Sequence, residues 1–369
     1  MPRNVNLDSF NSNIQKELSY ELERRKHLNQ GKDSLISVYF GGGTPSLATP
    51  GLVEKSMEVF DKFGYRDIKE VTLEANPTGL DLDLLNAFKS AGINRLSLGV
   101  QSLHDNDLKF FNRDHNVKDA TRGIEMALQI FNNTSLDFIW GRPNQSLQDW
   151  TKELDLVTLF GSKHLSLYQL TVERGTKLYH QVSQDKSVTM PDDDEMADLF
   201  ELTRSKLKSA GYDQYEVSSF AKSKEFQSQH NIGYWSGRDY IGVGPGAHGR
   251  LLRGNKRFRT YRTMSPSLWS DQINILGHGI QKEKVIDDGE MQNELVLVGL
   301  RQAKGIDGAE FLLMTGATLD DILDWNEIKT LKEINLITTA ANSRGQLENI
   351  KCTFDGLAVA DKIAARILK

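Results

Sequence analysis

With 369 residues, 38% of them hydrophobic and 26% charged, the chain is long enough for one barrel-sized domain and a smaller companion. Its net charge of −5 supplies no global basic field to recruit nucleic acid, and no apolar run is long enough to cross a bilayer. A single cysteine, Cys352, excludes an intrachain disulfide and a thiolate metal cage within one chain, and reads as a small buried residue of a C-terminal strand. The first residues lack a signal-peptide core and the Arg-rich character of a transit peptide, so the chain is expected to be mature protein from Met1.

In chain order, Phe10, Ile14, Leu18 and Leu22 lie among Glu, Lys and Arg at helical spacing, which predicts an amphipathic helix over 8–29. The β-branched run 35–40 then ends abruptly in Gly41-Gly42-Gly43-Thr44, as a buried parallel strand does where a ligand must approach bare backbone N–H groups. A helix over 50–63 leads to a strand over 70–77, and a helix over 81–91 to a strand over 95–102. A helix over 117–131 leads to a strand over 135–140, and a helix over 147–160 to a strand over 164–170. Strands alternating with helices at roughly 30-residue spacing argue for parallel βαβ units, a barrel or partial barrel rather than an open sheet.

Ligands of such folds sit at the C-terminal strand ends. There the chain offers Gly41 to Thr44, Glu74, Gln101, Asp137 and the segment 169–173. Carboxylates accept from an ammonium group or a ribose diol, and glycine N–H groups bind a carboxylate, so together these ends read as a small-molecule site.

Downstream, the acidic run 192–195 reads as the N-terminus of a helix reaching Ala210, and 212–220 as a strand with Tyr215, Val217 and Phe220 toward the core. Residues 222–225 read as a solvated loop. Lys256, Arg257 and Arg259 surround Phe258 and Tyr261 in a basic stretch that reads as a solvated hairpin rather than a nucleic-acid surface. Helices over 290–301, 307–314, 319–323 and 328–334 precede a short hairpin of 336–338 with 350–353, then a helix over 356–368.

The series YFGGGTPSL, VTLEANP, RLSLGVQSL, FFNRDH, SLDFIWGRPNQ and HLSLYQLTVERGT resembles the radical S-adenosylmethionine (SAM) proteins of the coproporphyrinogen oxidase-like group. With YEVSSFA, HNIGYW and YIGVGPGAHGR added, the chain is most similar to the HemW-like haem chaperone family, including its animal mitochondrial type. The resemblance runs from about Asn4 to the C-terminus. It implies an α/β fold: a partial (β/α) radical SAM barrel lacking its first strand, followed by a C-terminal helical, winged-helix-like domain. The expected division is 1–33 as the leading helix, 34–250 as the barrel and its extension, 251–288 as a connection, and 289–369 as the helical domain.

Carried over position by position, the resemblance implies that Gly42, Gly43 and Thr44 hold the methionine end of SAM, that Glu74 lies at the same pocket, and that Gln101, Arg113, Asp137 and Thr171 complete it. It also associates the HNxxYW motif with haem, which makes His230, Asn231, Tyr234 and Trp235 haem candidates, with His248 a further one. Imidazole ligates haem iron and aromatic rings flank a porphyrin; equally, the motif could cap and pack the sheet edge beside the SAM pocket.

Members of this group carry a Cys-x-x-x-Cys-x-x-Cys loop that holds a [4Fe–4S] cluster, and this chain has no such triplet. The alignment of Met1-Pro2-Arg3 just after that loop leads us to expect a shortened form of a family member, inactive in reductive SAM cleavage, with an exposed strand edge over 35–40 prone to association. The function implied is haem binding and delivery to haem-dependent membrane enzymes, with oxygen-independent coproporphyrinogen III oxidation in porphyrin biosynthesis as the alternative. The resemblance implies mitochondrial placement, otherwise cytoplasmic; it leaves the oligomeric state open.

Overall fold

A computed structural model describes residues 7–29, 34–42, 49–184, 188–254 and 256–369, with the side chains of 27–29 and 177 left aside. The expected strands appear as β1 (Ser37–Phe40), β2 (Glu70–Ala75), β3 (Arg95–Gln101), β4 (Asn133–Trp140) and β5 (His164–Gln169), each parallel to the next. Two short antiparallel strands, β6 (Asp213–Gln214) and β7 (Ser219–Ala221), complete a seven-stranded sheet in the order β1-β2-β3-β4-β5-β7-β6. This is the partial barrel expected from the alternation, with β1 at one edge.

The period-2 alternation of the strands explains how the sheet carries a site. The in-register set Val71, Leu73, Leu96, Leu98, Leu136, Phe138 and Leu165 points outward and forms one core with Phe88, Ile124, Trp150 and Leu154 of the covering helices. These helices span Leu82–Ser90, Val117–Ile130 and Leu147–Leu159. The alternate residues, Tyr39, Glu70, Thr72, Glu74, Arg95, Ser97, Ser135, Asp137, His164 and Ser166, are polar and face the other way, into the concave side. Polar side chains buried on one face persist only when they bond one another or a ligand.

The stretch 212–220 is not the single strand its sequence suggests. Between β6 and β7 the backbone turns away to meet the C-terminal region: Val217 N–H donates to Arg301 O at 3.0 Å, and Glu216 forms a bridge with Gln302. Strand propensity is spent on a partner remote in sequence, which local periodicity does not reveal. Four helices, Asp105–Phe110, Lys177–Gln184, Gln229–Trp235 and Pro266–Leu276, lie in stretches where the sequence pattern predicts none.

The basic stretch lies in an antiparallel sheet of β8 (His248–Arg253), β9 (Lys256–Arg262) and β10 (Ile280–Ile286). Three of its arginines are paired, Arg253 with Glu283, Arg259 with Glu290 and Arg262 with Glu21, while Arg257 Nε has no hydrogen-bond partner among the described residues. Glu17 and Glu21 come from the first helix, Leu7–Asn29, which packs between this sheet and the helix Pro50–Lys62. The last part of the chain has its own core, with Val296, Phe311, Ile328, Ile350 and Ile363, built from helices and a sheet in the order β11-β13-β12 (Ile306–Asp307, Leu347–Cys352, Ile337–Ala341). The β12–β13 hairpin gives it the winged outline expected.

Candidate functional site at the strand ends

The glycine turn and β2 meet through one carboxylate. Glu74 accepts from Tyr39 Oη at 2.7 Å and from Gly42 N–H at 3.1 Å. Gly42 has φ +86°, and a Cβ placed on Gly41 would lie 2.6 Å from the Tyr39 ring and 3.1 Å from Glu74 Oε2. Glycine is thus required by the turn at one position and by the Tyr39–Glu74 pair at the other. Gly43 and Thr44 lie outside the described residues.

At the end of β3 a bulge between Gly99 and Gln101 puts Gln101 at φ +70°, and its side chain folds back so that a Cβ on Gly99 would lie 2.7 Å from Gln101 Nε2. Asp137, on β4, is half-buried and accepts from Ser97 Oγ and Ser135 Oγ, each at 2.7 Å. Burial raises its pKa, against the lowering by those serine donors. Arg113, in the turn after helix Asp105–Phe110, is half-buried, and its Nε has no hydrogen-bond partner among the described residues. Burial lowers the pKa of its guanidinium, opposed by Asp114. Thr171 is exposed in the loop after β5.

The HNxxYW motif forms a short helix, Gln229–Trp235, with Ser228 as N-cap accepting from Asn231 N–H. Its amino end is anchored on the sheet by Glu70, which accepts from Gln229 N–H at 2.8 Å and His230 N–H at 3.0 Å. The His230 ring stacks on Tyr39, centroids 4.4 Å apart and planes 22° apart. Burial is the main cause of its lowered pKa, against the nearby Glu70. Tyr234 and Trp235 point elsewhere: Tyr240 Oη donates to Tyr234 Oη at 3.3 Å, and the Arg301 guanidinium lies 5.0 Å from the Trp235 ring centroid. His248, exposed at the start of β8, packs edge-on against Tyr261.

The fold therefore gathers Gly42, Glu74 and His230 at Tyr39, sets Gln101 and Asp137 on the neighbouring strands, and leaves His248 on a separate sheet. Sequence reasoning passed over Tyr39, Glu70, Ser97, Ser135 and His164, although the polar alternation Glu70-Thr72-Glu74 and Arg95-Ser97-Gly99 signals a wet face.

Residues 6–157 match the radical SAM superfamily. A mouse protein named radical S-adenosyl methionine domain-containing protein 1, mitochondrial, is 36% identical over 344 residues, covering 92% of this chain and 76% of its own. The chain belongs to the HemW-like family of radical SAM proteins. The Bacillus subtilis heme chaperone HemW is 32% identical over 310 residues, covering 83% of this chain and 80% of its own. The solved structure of Escherichia coli coproporphyrinogen III oxidase, HemN, superposes with a TM-score of 0.74 at 17% identity, over 97% of this chain and 82% of that one, which supports the shared fold alone. Among the described residues no helix of this HemW-like chain is long and apolar enough to cross a membrane.

Proposed function

We propose that this HemW-like chain binds haem through the helix Gln229–Trp235, with the His230 imidazole as iron ligand, and hands it to haem-dependent enzymes. The observation that carries this reading is the state of His230. It is half-buried at the strand ends, its pKa is lowered, and no hydrogen bond of the described residues engages its ring nitrogens. A neutral imidazole with a free lone pair is the form that ligates iron. Asn231, Tyr234 and Trp235 follow on the same helix, and Tyr234 is exposed beside Tyr240, available to flank a porphyrin. His248 is assigned no part in this site.

SAM fits the other side. The Glu74 carboxylate and the glycine turn suit its ammonium and carboxylate, the unpartnered Arg113 Nε suits an anionic or hydroxyl group, and Asp137 and Gln101 offer acceptors at the neighbouring strand ends. Gly43, Thr44 and Thr171 belong to the same proposed pocket. When bound, SAM would supply a sulfonium group to this pocket.

A [4Fe–4S] cluster does not fit the thiols of this chain. Its one cysteine, Cys352, is buried in β13, where burial pushes the thiol up to about 12. We infer that this chain by itself holds no cluster and does not cleave SAM. Several relatives carry "mitochondrial" in their names, which supports the same compartment here.

Absorbance titration with haemin tests the reading. A Soret shift saturating near one haem per chain, lost in His230→Ala and kept in His248→Ala, is expected. An unaltered shift in His230→Ala removes His230 as the ligand.

A further inference from the structure

His230 is held from two directions, and only one of them reaches the SAM pocket. Its backbone N–H is fixed by Glu70, which belongs to the start of β2 and lies near Arg95, 4.0 Å from Glu70 Oε2 to Arg95 Nε. Its ring is fixed by Tyr39, and Tyr39 is tied by its hydroxyl to Glu74, whose second oxygen takes the Gly42 N–H. A continuous path of three contacts thus joins the glycine turn to the imidazole: Gly42 to Glu74, Glu74 to Tyr39, Tyr39 to His230.

We propose that Tyr39 is a positioning residue that couples the two ligands, so that occupation of the Gly42–Glu74 end by SAM strengthens haem binding at His230. The inference rests on the haem and SAM reading above and adds the link between the two sites. An ammonium group on Glu74 fixes the carboxylate that orients the Tyr39 hydroxyl. A carboxylate has lone pairs enough to accept from the ammonium, Gly42 N–H and Tyr39 together, so the new ligand does not displace the old donors. With Glu74 held, the Tyr39 ring is held, and with it the plane on which His230 stacks. The ring nitrogens of His230 carry no hydrogen bond of the described residues in that pose, so the stacked imidazole is already presented for ligation. The ordering cost of Glu74, Tyr39 and His230 is met by the first ligand, and the second binds to an arranged site.

The sign and the reciprocity follow. SAM tightens haem binding, and haem tightens SAM binding by the same factor, since linkage allows one coupling constant only. The conservative change Tyr39→Phe keeps the ring under His230 and removes the hydroxyl that reaches Glu74. A merely structural Tyr39 would leave the coupling factor unmoved by that change, whatever happened to each affinity.

The experiment is a haemin titration by absorbance with and without saturating SAM, repeated on Tyr39→Phe, with SAM binding measured calorimetrically on the haem-free and haem-loaded chain. The expected result is a haem Kd about fivefold lower with SAM, the low end of common coupling factors, the same factor in the reverse titration, and a ratio falling to near one in Tyr39→Phe. Haem binding that ignores SAM or weakens with it overturns the coupling while leaving the haem reading intact. A ratio unchanged in Tyr39→Phe overturns the role of Tyr39. Absence of haem binding in any form overturns the haem reading and the coupling with it.

Discussion

Glu70 and His230, 160 residues apart in sequence, are joined by a hydrogen bond of 3.0 Å from the His230 N–H to Glu70 Oε1. The carboxylate thereby caps the helix that carries the candidate haem ligand, while Arg95, its near neighbour on β3, is buried beside it. Glu70→Ala removes the acceptor for two N–H groups and leaves Arg95 without its counter-charge. The expected cost is about 3 kcal/mol of stability, the low end for breaking a buried pair, read as a lower urea midpoint. Haem affinity should fall in parallel. Glu70→Gln, which keeps an acceptor, should retain the fold and lose less.

Glu17 is the corresponding anchor of the first helix. It is fully buried and accepts from Gly279 N–H at 2.6 Å, Gly244 N–H at 2.8 Å and Trp269 Nε1 at 3.0 Å, with Arg262 Nη1 3.5 Å away. Glu17→Ala strands three donors while Arg262 keeps its pair with Glu21, and should cost about 3–5 kcal/mol. Chemical denaturation checks it; a loss under about 1 kcal/mol, the size of one exposed ion pair, would show that the first helix is docked by other contacts.

Asp137 gives a pH signature. Its folded-state pKa is raised by burial from an ordinary 3.8, so between the unfolded and the folded value the native state holds a proton that the unfolded chain has released. Its contribution to stability is complete below the unfolded value and is lost as pH rises through the folded one. Asp137→Asn removes this dependence. The difference between the urea midpoints of the variant and the parent should therefore move in favour of the variant as pH climbs above the ordinary aspartate range. A difference flat in pH would mean that the serine donors cancel the effect of burial, and a difference of opposite sign that they outweigh it.

Cys352 should be inert in the folded protein. Burial in β13 pushes its thiol up to about 12, so little thiolate exists at neutral pH. Reaction with a thiol-disulfide reagent should be slow in buffer and fast in urea, with one thiol per chain released. Fast reaction in buffer would show that the β12–β13 hairpin opens readily.

The sequence carried most of the sheet. Glu74 and Asp137 were legible because a strand alternates, and a carboxylate at the last turns of an otherwise apolar run has few reasons to be there. The glycines after β1 were legible for the same kind of local reason. Gln101 was placed at the right strand end, but its positive φ and back-folded side chain were not, because the bulge beside Gly99 depends on pairing with β4. The stretch 212–220 misled because its partners, Arg301 and Gln302, come from far along the chain.

By itself, then, the sequence determined the alternation of strands and helices, the wet and dry faces of each strand, the lone cysteine and the motifs that mark the family. These are properties of near neighbours, fixed by backbone period and side-chain type. Only the tertiary structure decided that Tyr39 joins Glu74 to His230, and that Arg253, Arg259 and Arg262 are taken up by Glu283, Glu290 and the first helix. Those relationships arise when the curved sheet brings strand ends and a distant helix within bonding distance, and no window of local sequence contains them.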